Sequence, residues 1–171
     1  ADARVVFAIP GDATLTFVTG GSQGSRALNV ALVGYVEEVV RGSFVRPGPL
    51  HLLWVTGPNH FGAVSTALTA AGEPDWVHTL PYCEDMLTAL AAADFALCRA
   101  GAMTTAEMMN QGLPPILVPL PTSAEGHQMY NARALEAAGA ARVLPESELT
   151  PQRLADEFAA LLADPTILAT M

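Results

Sequence analysis

Residues 18–25, VTGGSQGS, lie where an apolar run of the chain ends and a helical pattern begins. The preceding residues 15–19, LTFVT, are typical of a buried β-strand, and residues 26–41 have the apolar spacing of an amphipathic helix. A tight turn between a strand and a helix needs about one glycine, whereas this junction has three, together with two serines and a glutamine. The composition of the turn therefore indicates that something comes close to its backbone.

The same strand–turn–helix unit is repeated along the chain. Short apolar runs predict strands at 15–19, 50–56, 76–79, 95–98, 116–118 and 141–144, and helical patterns follow at 26–41, 59–71, 85–92, 102–111, 127–138 and 151–163. Strands that are apolar without clean alternation are expected where helices cover both faces of a sheet. This rhythm predicts an α/β fold, a Rossmann-like, doubly wound parallel sheet of six strands with helices on both faces. Residues 14–171 would form this domain, and residues 1–13, with a turn at Pro10-Gly11, are expected to be an interdomain linker.

The charge of the chain excludes several classes of site. The chain has eight arginines, seventeen acidic residues and no lysine, for a formal net charge of −9. Without lysine it can form neither a Walker P-loop, whose lysine contacts the nucleotide phosphates, nor a Schiff base with a substrate. The acidic balance also argues against binding of nucleic acid, which requires a basic surface.

Signals for metal, redox and membrane functions are missing from the sequence as well. Cys83 and Cys98 form no CxxC pair, so we expect two reduced thiols, and the four histidines show no ligand spacing. No cofactor or metal ion is therefore expected. No apolar segment reaches the roughly 18 residues that a membrane span requires, and no signal peptide opens the chain, which predicts a soluble domain or a piece of a larger protein.

In a parallel sheet of this kind, ligands bind outside the carboxyl ends of the strands. The candidate loops are therefore 20–25, 57–60, 80–84, 99–103 and 119–126. In the first of them, the backbone amides at the start of a helix form a natural anion site, to which the hydroxyls of Ser22 and Ser25 can add donors. The alternative for this loop is a tight turn with a serine or glutamine cap.

Two further loops, around residues 98–107 and before the helix at 127, contain residues that could bind a ligand. Each has a structural explanation as well when it is taken alone. In residues 98–107, CRAGAMTTAE, Glu107 either accepts hydrogen bonds from the hydroxyls of a ribose or only offsets a helix dipole. His127, Gln128 and Asn131 are neutral hydrogen-bonding residues that suit sugar hydroxyls, although a capped helix start explains this cluster better when it is taken alone. Together, two helix N-termini, an acid and a group of amides at one end of one sheet predict a site for a nucleotide sugar. Since the chain offers neither lysine nor a DxD metal clamp, the helix ends must compensate most of the diphosphate charge.

These motifs, in this order, resemble the C-terminal half of the MurG family of GT-B glycosyltransferases. The resemblance rests on GGSQG at 20–24, RAGA at 99–102 followed by TxxE at 104–107, GLP at 112–114 and HQxxNA at 127–132. It extends from about residue 14 to residue 163, nearly the whole chain. It implies one half of a GT-B fold and a domain that holds UDP-N-acetylglucosamine. The reaction that it implies is inverting transfer of N-acetylglucosamine to lipid I, which makes lipid II for peptidoglycan.

The resemblance also implies roles for particular residues. Ser22 and the amides around it, from Gly21, Gln23 and Gly24, would contact the diphosphate, and the backbone near Tyr82 and Cys83 would read the uracil edge. The remaining roles belong to residues of the two later loops: Ala102, Met103 and Thr104 along the phosphate and the sugar, Glu107 on the ribose, and His127 and Gln128 on the N-acetylglucosamine. Asn131, of the same HQxxNA motif, is counted with the substrate-binding residues. Many relatives have two glutamines where this chain has His127-Gln128.

The half of the family that binds the acceptor and provides the presumed catalytic base is not found in these residues. We therefore expect this chain to be a donor-binding domain that binds UDP-sugar without turning it over, with no catalytic residue of its own. The full-length enzyme would act in the cytoplasm at the inner face of the bacterial membrane. Two rival functions are open: the donor domain of another GT-B enzyme, and a non-catalytic nucleotide-binding module. A hydride-transferring Rossmann enzyme is disfavoured because the chain lacks GxGxxG.

Overall fold

The structure, a computed structural model, describes residues 3–123 and 126–171. Residues 1–2 of the predicted linker and 124–125 of the predicted loop 119–126 lie outside the described residues. Six parallel strands form one sheet in the order β3-β2-β1-β4-β5-β6, which confirms the predicted fold class. Their bounds are β1 Thr14–Thr19, β2 Leu50–Val55, β3 Val77–Leu80, β4 Phe95–Arg99, β5 Pro115–Val118 and β6 Arg142–Val143.

Helices cover both faces of this sheet. Their bounds are α1 Ala3–Val6, α2 Arg26–Val40, α3 Pro58–Ala70, α4 Met86–Ala92, α5 Ala102–Gln111, α6 His127–Ala137, α7 Pro151–Leu162 and α8 Pro165–Thr170, with a 3-10 turn at Glu146–Glu148. The first core layer lies between the sheet and α2, α3 and α7, and the second lies between the sheet and α4, α5 and α6. Successive residues of a strand enter opposite layers, as Phe17 and Val18 do. This two-sided burial explains why the strands are apolar along their whole length.

The predicted elements differ from the observed ones mainly at their ends. The third strand begins one residue later than predicted, and only Arg142–Val143 pair in the sixth strand. Helix α8 was outside the prediction, although Asp164 caps it by accepting a hydrogen bond from the amide of Thr166, and proline occupies its first position. No helix in the two described ranges combines the length and the apolarity that crossing a bilayer demands.

Residues 3–13 pack against the domain. The Arg4 side chain forms an ion pair with Asp94 at 2.8 Å and donates hydrogen bonds to the carbonyls of Ala13 and Ala92 at 2.7 and 3.2 Å. Ile9 is buried in the second core layer. A function of residues 1–13 as an interdomain linker stays a prediction.

The fold positions its ligand crevice at the point where the strand order reverses. β1 and β4 are adjacent, with Thr19 opposite Cys98, and their following helices turn to opposite faces of the sheet. The loops after these two strands consequently diverge and leave a crevice between them. This is the part of the sheet at which the glycine-rich loop 20–25 and the loop 99–103 meet.

A histidine pair on β2 and β3 makes the stability of this edge of the sheet pH-dependent. His51 Nδ1 and His78 Nε2 lie 3.1 Å apart, and burial lowers the pKa of both rings. Arg46 lowers the pKa of His51 further, and burial and Arg46 together outweigh the opposing effects of Asp75 and Asp12. The folded state therefore keeps both rings neutral at a pH where the unfolded chain begins to take up protons.

We expect the free energy of unfolding to fall as the pH drops through the unfolded histidine pKa of about 6.5. Urea denaturation at about pH 7.5 and about pH 5.5 measures this change. The variant His78→Gln keeps a hydrogen-bonding side chain without a titrating group, and its loss over the same interval should be smaller than that of the wild type. An equal loss in both proteins would contradict the assignment to the pair.

Candidate functional site

A cavity of the described chain lies in the crevice between β1 and β4. Its volume is about 920 Å³, at the upper end of the range of about 300–1,000 Å³ that is usual for ligand sites. Residues from four segments line it: Gly20 and 24–27 after β1, with Val30 and Ala31 of α2; Arg99 at the end of β4 and Gly101 after it; Leu120 and Gln128 after β5; and Glu146 and 149–151 after β6. The predicted convergence of the two glycine loops is thus observed, because both line one cavity.

The loop 20–25 is shaped by contacts between backbones. Gly21 and Gly24 have φ of +87° and +75°, and the amide of Gly24 donates to the carbonyl of Gly21 at 2.9 Å, which closes the turn. A Cβ on Gly24 would overlap the carbonyl oxygen of Thr56, in the loop after β2, whereas a Cβ on Gly21 would meet open space. Gly24 thus allows the loops after β1 and β2 to touch, and Gly21 allows the positive φ that the turn requires.

Ser25 is the N-cap of α2. Its Oγ accepts from the amide of Leu28 at 3.4 Å, and its carbonyl accepts from the amide of Asn29 at 2.9 Å. The capping alternative therefore holds for this serine. The amides of Arg26 and Ala27 have no hydrogen-bond partner in the described chain, and both residues line the cavity. The positive end of the α2 dipole faces the cavity through these amides.

Helix α5 begins at the opposite wall of the cavity. Its N-cap is Gly101, which has no side chain to cap the helix, so the amides of Ala102, Met103 and Thr104 have no hydrogen-bond partner in the described chain. The hydroxyl of Thr105 is not a hydrogen-bond acceptor for these amides, because it donates to the carbonyls of Gly101 and Ala102. The start of α2, with its two unbonded amides, and the N-cap of α5 therefore line one cavity, an arrangement that suits an anion with more than one charged group.

An ion pair joins two walls of the cavity. Arg99, at the end of β4, pairs with Glu146, which follows β6, and its Nη1 donates to the carbonyl of Val118 at 3.3 Å. The Arg99 side chain is only 12% exposed and the Glu146 side chain 29%. The pair holds the segment 146–151 against the sheet, where four of its residues line the cavity.

Gln128 reaches the cavity from α6. Its Oε1 accepts from the amide of Leu120 at 2.9 Å, which fixes the loop after β5. Since a backbone amide can only donate, the contact determines the orientation of the side-chain amide, and the Nε2 group remains as a donor. Gln128 is half-buried and lines the cavity next to Leu120.

The other predicted site residues lie around the same end of the sheet without lining this cavity. Glu107 is half-buried on α5, and its carboxylate has no hydrogen-bond or ion-pair partner in ranges 3–123 and 126–171. Ser22, Gln23, Tyr82, Ala102, Met103, His127 and Asn131 are exposed, and Gly21 and Thr104 are half-buried. The Cys83 side chain is buried in the second core layer, where burial raises the pKa of its thiol, so only its backbone can meet a ligand.

Of the thirteen predicted residues, the structure thus brings Gly24 and Gln128 onto the wall of the main cavity. The residues that the sequence analysis did not select include Arg26, Arg99 and Glu146. Arg99 is the first residue of the RAGA motif at 99–102 and carries the only charge of the loop 99–103, and this charge was the available signal. Glu146 lies in a segment without a motif, and only the folded chain brings it to Arg99.

A six-stranded Rossmann-like sheet with a cavity between two helix N-termini at its switch point is the architecture of a ligand-binding α/β domain. Within this class, the chain belongs to the glycosyltransferase family 28 C-terminal domain, whose family model matches residues 15–171. The chain is also 40% identical over 171 residues to the UDP-N-acetylglucosamine–N-acetylmuramyl-(pentapeptide) pyrophosphoryl-undecaprenol N-acetylglucosamine transferase of Mycobacterium tuberculosis. That match covers 100% of this chain and 39% of the relative.

Two further comparisons agree with this family. The protein of the same name from Nocardia farcinica is 40% identical over 172 residues, which cover 100% of this chain and 42% of the relative. The crystal structure of Acinetobacter baumannii MurG superposes with a TM-score of 0.80 at 31% identity, over 94% of this chain and 46% of that one. The chain therefore spans about two fifths of the length of the curated relatives that it matches.

Proposed function

We propose that this chain is the domain that binds UDP-N-acetylglucosamine in a glycosyltransferase that makes lipid II. The full-length enzyme would transfer N-acetylglucosamine to lipid I with inversion, in peptidoglycan synthesis. The observation that supports this most directly is the cavity of about 920 Å³ between the N-termini of α2 and α5, in a chain that belongs to a family of glycosyltransferase domains. Residues 14–171 would be the donor domain, and lipid I would bind to an N-terminal domain that these residues do not include.

The diphosphate of the donor would lie between the two helix N-termini. Amides of Ser22 and Gln23 and of Ala102 to Thr104 would donate to its oxygens, with the hydroxyl of Ser22 as a further donor. The amides of Gly21 and Gly24 already donate within the loop, to the hydroxyl of Thr19 and the carbonyl of Gly21. This arrangement compensates the negative charge by dipoles that are already fixed before the ligand arrives. It matches a chain in which lysine is absent and the formal net charge is −9.

The organic groups of the donor would lie on either side of the diphosphate. The backbone at Tyr82 and Cys83 would read the edge of the uracil, and the carboxylate of Glu107 would accept from the ribose hydroxyls. His127, Gln128 and Asn131 would contact the N-acetylglucosamine, with the Nε2 of Gln128 as a donor. The chain alone would bind the donor without transferring sugar, and the full-length enzyme would act in the cytoplasm at the inner face of the membrane.

Calorimetric titration of the chain with UDP-N-acetylglucosamine tests this function, with UDP-glucose and NAD as competing ligands. We expect saturable binding of the N-acetylglucosamine derivative, weaker binding of UDP-glucose and no binding of NAD. Equal affinity for both UDP-sugars would indicate another GT-B donor domain. Binding of NAD together with indifference to UDP would contradict the proposal.

The ribose contact has its own prediction. Glu107→Gln removes one charged acceptor, and a hydrogen bond to a charged group contributes about 1.5–3 kcal/mol, so we expect UDP affinity to fall about 10- to 100-fold. The variant and the wild type should bind 2′,3′-dideoxy-UDP equally, because this ligand lacks the hydroxyls. Glu73→Gln, which changes an acid before β3 at the other end of the sheet, is the control and should leave UDP affinity unchanged. Unchanged UDP affinity in Glu107→Gln would contradict the ribose role.

A further inference from the structure

Most positive charges of this chain are neutralised within the fold. Six of its eight arginines form ion pairs in the described chain, as Arg99 does with Glu146. Arg46 lies 5.3 Å from the ring centre of Trp76 and donates to the carbonyl of Leu50. This pattern is expected where acidic residues outnumber arginines by seventeen to eight.

Arg26 is the exception. In ranges 3–123 and 126–171, its side chain has no hydrogen bond, ion pair or ring contact. It is exposed and lies on the wall of the cavity of about 920 Å³, beside the uncapped amides of α2. The one unpaired arginine of the described chain is therefore also one of the two arginines that line the cavity.

The position of Arg26 in its helix is unfavourable for the folded protein by itself. It is the first residue of α2, where the helix dipole is positive and disfavours a cation. The nearest elements offer it no compensating acid, since the acidic residue of the cavity wall, Glu146, is paired with Arg99. An anion in the cavity would reverse the sign of this interaction, because both the helix end and the guanidinium would then attract it.

We propose that Arg26 is the residue that binds the diphosphate of the donor through its guanidinium group and so sets the preference for nucleoside diphosphates over nucleosides. The inference rests on the proposed function, because it assigns a further contact within that site. The planar guanidinium group presents paired donors that match the oxygens of a phosphate. Arg99 cannot supply this charge while Glu146 neutralises it.

The proposal predicts opposite effects on binding and on folding. Arg26→Gln should lower UDP affinity about tenfold, because one charge-assisted contact is lost, and it should leave uridine affinity unchanged. Its unfolding midpoint without ligand should equal or exceed that of the wild type, because the replaced side chain has no partner to lose. If Arg26 had only a structural role, the variant would lower the unfolding midpoint and leave UDP affinity unchanged.

The experiment compares the wild type, Arg26→Gln and Arg41→Gln by calorimetry with UDP, uridine and inorganic pyrophosphate. Arg41 lies at the other end of α2 and pairs with Glu37 and Glu38, so its variant is a matched control that should bind UDP like the wild type. Weakened binding of UDP and pyrophosphate in Arg26→Gln alone would support the proposal. UDP binding by Arg26→Gln at wild-type affinity would overturn it and leave the proposed function standing.

Failure of the proposed function gives a different result. In that case the wild type would not bind UDP-N-acetylglucosamine, whereas pyrophosphate would still report on Arg26. If pyrophosphate binding depended on Arg26, the role of Arg26 in binding an anion would still be supported. If pyrophosphate did not bind, or bound equally without Arg26, the inference would be overturned as well.

Discussion

Arg99→Gln is expected to abolish measurable binding of UDP and to destabilise the protein by about 2 kcal/mol. The variant leaves the carboxylate of Glu146 without its partner in the wall of a cavity that we propose for a diphosphate. The unpaired charge is half-buried, so its desolvation weakens the folded state, and it repels the phosphates of the ligand. Urea denaturation and calorimetry with UDP measure the two effects.

The matched variants separate charge from shape. Glu146→Gln removes a negative charge and frees Arg99, so UDP binding should be equal to or tighter than that of the wild type. The double variant should recover most of the stability lost in Arg99→Gln, which a double-mutant cycle measures as a coupling energy. Weaker UDP binding in Glu146→Gln, to the same degree as in Arg99→Gln, would contradict this electrostatic account.

The fold could be predicted well from the sequence because the patterns that indicate strands, turns and helices involve residues close to one another in the chain. Each apolar run lies directly before a glycine turn and a helical pattern, and hydrophobic periodicity needs only neighbouring residues. The glycines that end α5 and α6 and the proline that begins α7 made these helix boundaries readable. Boundaries failed where tertiary pairing determines them, as in β6, of which only Arg142–Val143 pair with β5.

The candidate site was predictable to the extent that it follows from topology. The rule for open parallel sheets placed the loops 20–25 and 99–103 at one end, and both line the main cavity. The partner of Arg99 could not be predicted, because Glu146 is separated from it by two helices and two strands and has no motif around it. Nor could spacing show that Arg26 lacks a partner, because pairing depends on which acids the folded chain brings near.

The glycine-rich loop shows how one pattern can serve two purposes. Its three glycines suggested a close approach to the backbone, and Gly24 indeed lies against the loop after β2. The approaching group at this position is the carbonyl of Thr56, a part of the same chain. Gly21 faces open space, so it is the position where a ligand can come close. The sequence alone gave no means of telling these two glycines apart.

Gly24→Ala is expected to destabilise the protein by about 3 kcal/mol and to remove UDP binding. A positive φ costs a residue with a Cβ about 1–2 kcal/mol, and the φ of Gly24 is +75°. The new Cβ would also overlap the carbonyl oxygen of Thr56, and overpacking typically adds about 1–3 kcal/mol. Because backbone atoms on both sides must move, the amides at the start of α2 would leave the positions that we propose for phosphate binding.

Two other glycines of the same crevice serve as controls for the two causes. Gly21 has a φ of +87° but no atom within 4 Å of an added Cβ, so Gly21→Ala should lose only about 1 kcal/mol. Gly101 has a φ of −69° and open space around its Cβ position, so Gly101→Ala should change stability by less than about 0.5 kcal/mol. Urea denaturation of the three variants ranks these losses. Equal destabilisation by Gly21→Ala and Gly24→Ala would mean that the contact with Thr56 contributes nothing, and that the strain of the turn alone requires both glycines.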